Sequence, residues 1–208
     1  MGTPYVFIAD VFANEIPGGG ELNNDELIHL LREKGEEVIT LKSSQVSQDM
    51  VEKYSGCKFI IGNFISLRNE SKEKLLNERY VIYEHDHKYL KCRNPAEYEN
   101  YLAPPEEIIY YDFYKSARAV VCQSTFHADI VRGNLKLDNI KSVGGNLWSE
   151  KSLDVMGQYA RRIKENKCSI MISPIVHKNT SEAISYCEYK RRNTNLSLPV
   201  PIMSFWIN

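Results

Sequence analysis

Six short apolar runs, rich in β-branched and aromatic residues, recur between Tyr5 and Gly144, with helical patterns between them. They are YVFIAD (Tyr5–Asp10), EEVITLKS (Glu36–Ser43), KFIIGNF (Lys58–Phe64), RYVIYEH (Arg79–His85), RAVVCQS (Arg118–Ser124) and IKSVG (Ile140–Gly144). Strand and helix patterns alternating in this way are the signature of βαβ units around a parallel sheet. Several runs lack polar alternation, as strands covered by helices on both faces do. The expected fold is α/β: a doubly wound, mostly parallel, Rossmann-like sheet.

The helix edges agree with that plan. Leu22, Leu27, Leu30 and Leu31 fall broadly on one side of a segment that stops at Gly35, a residue suited to helix C-termini. Ser47 is a candidate N-cap for a helix ending at Gly56. Pro95 marks a further helix start, Pro104-Pro105 a break, and a resumed helix carries Glu106 and Glu107 in its first turn. Past Gly145, Ser149–Asn166 reads as a connecting helix, Cys168–Pro174 as a new strand and Asn179–Arg192 as a helix.

Charge and composition exclude several classes. A net charge of -1 supplies no basic surplus, so no nucleic-acid partner is expected. No apolar run approaches the roughly 18 residues of a spanning helix, and the N-terminus lacks a signal-peptide pattern, so a cytoplasmic protein without an integral membrane segment is expected. Five widely spaced cysteines, none in a CxxC, give neither a disulfide framework nor a zinc site.

Three features sit where ligands bind in such folds, beyond the carboxyl ends of strands. The first is Gly18-Gly19-Gly20, which permits positive φ and close approach, ahead of a helix whose N–H groups and dipole favour phosphate or carboxylate. The alternative is a flexible loop with no ligand. The strict dinucleotide fingerprint is not met, since its third glycine position holds Asn23 and the loop Val11–Pro17 is too long. An NAD-dependent oxidoreductase is therefore disfavoured. The second is Glu84, His85, Asp86 and His87 at a strand end, open to three readings: ligand contact, structural hydrogen bonding or metal. Against metal, His85 and His87 are expected to diverge on an extended strand. The third is Ser124 and Thr125, which serve a ligand or simply cap the next helix, with His127 in its first turn.

Together these pieces resemble the N-terminal domain of retaining glycosyltransferases of the family 4 type, built on the two-Rossmann-domain (GT-B) plan. PGGGELNNDELIHLLREKGEEVITL is similar to the family's long loop, GG-x-E helix start and KG-x-x-V exit, with Gly19, Gly20 and Glu21 in the loop and Lys34-Gly35 before Val38. SARAVVCQSTFHADIV and NIKSVGGNLWS look like later strands of that domain, and SIMISPIVHKNTSEAISYC like the start of its donor-binding partner.

The resemblance implies hexosyl transfer from a nucleotide-sugar to an acceptor hydroxyl, with retention, without metal and with no cofactor beyond the nucleotide-sugar co-substrate. It places Gly18, Gly19, Gly20 and Glu21 toward the donor phosphates or the reacting sugar. His85 comes near the transferred sugar with Asp86 beside it, both as catalytic candidates, and Ser124 and Thr125 fall on the cleft floor. Lys178 fits a diphosphate-binding lysine, whereas Pro174 or Ile175 stands where the family's arginine is expected. The implied organisation is a glycosyltransferase N-terminal domain over residues 1–146, a connecting helix over 147–167 and the start of a truncated donor domain over 168–208. The resemblance puts the family's paired-glutamate motif much further on than Asn208. The alternative from another class is a non-catalytic Rossmann-like binding or interaction module.

Overall fold

In the first strand, β1 (Tyr5–Ala9), Val6, Phe7, Ile8 and Ala9 are all fully buried, because β1 lies inside the sheet with helices over both faces. Alternation sends Val6 and Ile8 into one core and Phe7 and Ala9 into another. The computed structural model describes residues 2–163, 170, 172 and 179–194. All six expected strands form, as β1, β2 (Val38–Lys42), β3 (Lys58–Ile61), β4 (Arg79–Glu84), β5 (Val120–Cys122) and β6 (Ile140–Ser142). Every pairing is parallel and the order is β2-β1-β3-β4-β5-β6. The order reverses between β1 and β3, and in open sheets of this kind ligands bind at the crevice above such a reversal.

The larger core lies between the sheet and α2 (Gln48–Lys53), α3 (Asn69–Leu75), α4 (Tyr111–Ser116) and α5 (Thr125–Leu135), where Val51, Leu75, Phe113, Tyr114 and Val131 pack. The smaller core lies under α1 (Gly19–Glu33), with Ile28 against Phe7, Ile60 and Tyr83. Ser47 caps α2, accepting from the Met50 N–H at 3.3 Å.

Two expectations need correction. The buried face of α1 does not include Leu22, which is 44% exposed. Asn23 and Asn24 are buried instead, one turn before Leu27 and Ile28 on the same face, because hydrogen bonds wait for them at the sheet edge. No α-helix starts at Pro95, and the helix expected from Glu106 shrinks to α4. The stretch before it holds three single 3-10 turns, at Pro95–Glu97, Glu99–Tyr101 and Pro105–Glu107. Left-handed Asn100, Tyr101 and Tyr110 interrupt any helical ladder there.

At Gly62, just past β3, an α1 side chain packs tightly on the sheet: a Cβ there would lie 2.9 Å from both amide atoms of Asn24 and from Phe7 Cε1. Gly62→Ala is expected to destabilise the fold by about 1–3 kcal/mol, measured by urea unfolding, because neither neighbour can retreat without breaking a core contact.

The chain divides into the unit Met1–Ser149, which contains the whole sheet, and the unit Glu150–Asn208. The second unit shows α6 (Glu150–Ala160) and α7 (Thr180–Thr194), matching the two helices expected there. The expected strand Cys168–Pro174, apart from Ile170 and Ile172, and the candidate Lys178 lie outside the described residues. Among the described residues no helix is long and apolar enough to cross a membrane.

Candidate functional site

At the carboxyl edge of the sheet, α1, β4 and β5 converge on one imidazole. His85, the first residue after β4, has Nε2 at 2.7 Å from Asn24 Oδ1 and Nδ1 at 2.6 Å from Gln123 Nε2. An amide oxygen only accepts and an amide nitrogen only donates, so the bonds assign a neutral ring protonated at Nε2. Burial pushes its pKa down to about 4, and the nearby Lys88 ammonium adds to that. The ring packs edge-on to Tyr83 at 4.6 Å.

A second polar layer backs the first. The Tyr83 hydroxyl donates to Asn23 Oδ1 at 2.7 Å, and the Leu147 N–H donates to the same oxygen at 3.0 Å. Asn23, standing where a dinucleotide fold has its third glycine, thus ties α1 to β4 and to the segment after β6.

On the opposite face of β4 the side chains are charged and buried. Glu84 and Lys88 are both fully buried, with Lys88 Nζ 3.0 Å from Glu84 Oε1. The Tyr114 hydroxyl donates to Glu84 Oε2, and the Asp86 N–H donates to Oε1 at 3.0 Å. Burial alone would raise the Glu84 carboxyl, but the Lys88 charge and these hydrogen bonds outweigh it and hold it down to about 2. Asp86 is ion-paired by Lys88 at one oxygen and by Arg93 at the other.

His87 contacts a different set of groups from His85, but not for the reason expected: residues two apart on an extended strand share a face, and it is the left-handed backbone at His87, φ 49°, past the end of β4, that parts the two rings. Its ring lies 4.5 Å from that of His127, and its Nδ1 is 3.1 Å from the Tyr89 hydroxyl. Burial, then the neighbouring His127, lowers the His87 pKa to about 4, and burial lowers that of His127 too. Among the described residues no group of three His, Cys, Asp or Glu side chains is placed to hold a metal ion.

The glycine turn differs from expectation in its backbone. Gly18 is extended, with φ -80°, while Gly19 and Gly20 begin α1, and none of the three takes a positive φ. Their contribution is small size. Gly20 faces the His85 ring, 3.5 Å from where a Cβ would stand, and Gly19 has open space there. The α1 N-terminus has no side-chain cap, but Glu21 folds back over Gly18 and puts a carboxylate against the first turn. Ser124 takes its capping alternative, with Oγ accepting from the His127 N–H at 3.1 Å, and Thr125 beside it is exposed.

Gly20, Asn24, His85 and Gln123 therefore form one polar line across the sheet edge, whereas Asp86 belongs to the buried charge cluster behind it. Sequence reading missed Asn24, Gln123 and Lys88 as members of these networks, while Glu84, singled out with its neighbours, takes the structural hydrogen-bonding alternative. The available signal was two asparagines inside the apolar stripe of α1, one turn ahead of Leu27 and Ile28.

No protein-family model and no curated protein matches the chain in sequence. Among solved structures, a similar fold occurs in an α-glucosyltransferase in complex with UDP and a 13-mer DNA containing a central A:G mismatch, at TM-score 0.53 and 13% identity. The match covers 94% of this chain and 55% of that one, so the chain spans little more than half that enzyme's length. At this identity the likeness establishes a shared α/β fold.

Proposed function

We propose that the unit Met1–Ser149 is the acceptor side of a glycosyltransferase that uses a nucleotide-sugar as co-substrate, retains anomeric configuration and needs no metal. The observation that carries this reading is the α1 N-terminus, lacking a side-chain cap, at the switch point of a parallel sheet with His85 packed against its second residue. First-turn N–H groups there suit a diphosphate, and their dipoles would stabilise the charge that builds on a leaving nucleotide. His85 is a positioning residue, since both its ring nitrogens are already bonded. The UDP in the similar structure supports a nucleotide-sugar donor.

A non-catalytic binding module is the second reading, favoured by the fact that His85 and Asp86 are both fully engaged and neither stands as a free base. Release of UDP from UDP-sugars in the presence of candidate acceptors separates the two.

Binding of UDP is expected to be weak, with Kd on the order of 1 mM, because Lys88 is buried in its own ion pairs and Glu21 repels the incoming phosphates. Isothermal titration calorimetry should show Glu21→Gln tightening binding several-fold. Gly19→Asp should abolish it while leaving the melting temperature unchanged or raised, since the aspartate side chain enters open space in a first helical turn. Binding indifferent to Gly19→Asp removes α1 from the site. Tight, sugar-specific binding would contradict a site assembled from backbone N–H groups.

A further inference from the structure

Beside the proposed donor edge, the structure exposes an aromatic pair that the fold core does not use. Tyr101 and Phe126 meet edge to face, with ring centroids 5.5 Å apart, and are 41% and 62% exposed. Phe126 stands in the first turn of α5, three residues after the Gln123 that holds His85. Tyr101 belongs to the long connection between β4 and α4.

That connection is built to hold the pair. Asn134 on α5 donates from Nδ2 to the Tyr101 carbonyl at 2.8 Å and accepts at Oδ1 from the Ala103 N–H at 2.8 Å. Leu102 lies over Gly133, where a Cβ would come within 3.2 Å of Leu102 Cδ2. Asn100 and Tyr101 both adopt left-handed backbone, φ 53° and 62°, a strained choice for tyrosine that persists only where the surroundings enforce it. The chain thus accepts strain at a residue whose ring is left facing solvent.

Charge identifies what fits there. From Asn94 to Asp112 there are five carboxylates, Glu97, Glu99, Glu106, Glu107 and Asp112, and no lysine or arginine. The flanking cations are engaged, Lys91 by Glu107 at 3.6 Å and Arg93 by Asp86. The five carboxylates of this connection disfavour a polyphosphate backbone. A neutral carbohydrate suits it: the C–H face of a pyranose packs on an aromatic ring, and its hydroxyls can donate to carboxylates of this connection.

We infer that Tyr101 and Phe126 form the platform for a neutral carbohydrate, which is the acceptor class if the proposed transferase reading holds. The inference names the acceptor for that reading and is tested without the donor. The labelled 208-residue chain is applied to an array of neutral mono- and oligosaccharides, with a 13-mer DNA duplex as the anionic control. The expected result is retention of at least one neutral glycan, weakened about tenfold by Tyr101→Ala and by Phe126→Ala and kept by Tyr101→Phe. Both side chains are exposed, and an unchanged thermal melt of Phe126→Ala shows that the fold survives. Retention of no neutral glycan, equal retention by both alanine variants, or stronger binding of the duplex overturns the platform. Glycan retention without UDP binding would leave the platform standing and remove the donor reading, and UDP binding without glycan retention the reverse.

Discussion

Lys88→Met will destabilise the sheet-containing unit by about 3–5 kcal/mol, because it leaves Glu84 as a buried carboxylate without its counter-charge. Both side chains have no exposed surface, so water cannot substitute for the lost ammonium. Lys88 also serves Asp86, whose other oxygen is held by Arg93, so one substitution loosens the whole turn after β4. With native domains stable by only about 5–15 kcal/mol, a loss of that size approaches the whole margin. The double variant Glu84→Gln/Lys88→Met should recover much of it, since a neutral amide can still pair with the Tyr114 hydroxyl. Urea unfolding at pH 7 of wild type, both single variants and the double variant gives the coupling directly. A Lys88→Met cost below about 1 kcal/mol would mean that Glu84 finds another partner or takes up a proton. Function is attached to this pair through the chain itself, because Glu84 immediately precedes His85, whose ring Asn24 and Gln123 hold against Gly20.

The strands were readable because a parallel sheet buries both faces, and runs such as Val6–Ala9 must then be continuously apolar. Helix signals worked where one local bond decides the outcome, as at Ser47, whose hydroxyl needs only the Met50 N–H. They failed between Pro95 and Tyr110. There the proline start is genuine, but left-handed Asn100, Tyr101 and Tyr110 break the ladder, and no glycine announces them. The site divides the same way. The place of His85 at the end of β4 is a local fact of the strand. Its partners Asn24 and Gln123 lie 61 and 38 residues away in sequence, and only the β2-β1-β3-β4-β5 order brings them together. Hydrophobicity places Leu22 with the other leucines of α1, but hydrogen bonds to Tyr83 and His85 hold the Asn23–Asn24 face inward instead.

Acid should destabilise this unit well above the range in which carboxylates titrate. His85 and His87 have pKa values lowered to about 4, against an ordinary value of 6.5 that the unfolded chain regains. Below pH 6.5 the unfolded state takes up protons that the folded state refuses, so stability falls as pH falls, until the folded histidines protonate near 4. By pH 5 the loss is about 2 kcal/mol for each ring, and His127, shifted in the same direction by burial, adds to it. Glu84 acts in a lower window. Its carboxyl is depressed to about 2 from 4.5, so its contribution is intact above pH 4.5 and disappears only as pH drops toward 2. The groups facing His87 and His127 are Tyr89, Glu84 and Lys88, and the charges of the last two oppose each other at these rings. Urea unfolding between pH 7 and 5 should therefore show a loss of about 4 kcal/mol or more. His87→Asn, which tolerates the left-handed backbone, should lower stability at pH 7 through the lost Tyr89 contact yet flatten the acid slope by about 1 kcal/mol per pH unit. Stability that stays level from pH 7 to 5 would show that the rings keep ordinary proton affinity in the folded state, and would overturn the reading that burial and Lys88 disfavour their charged form.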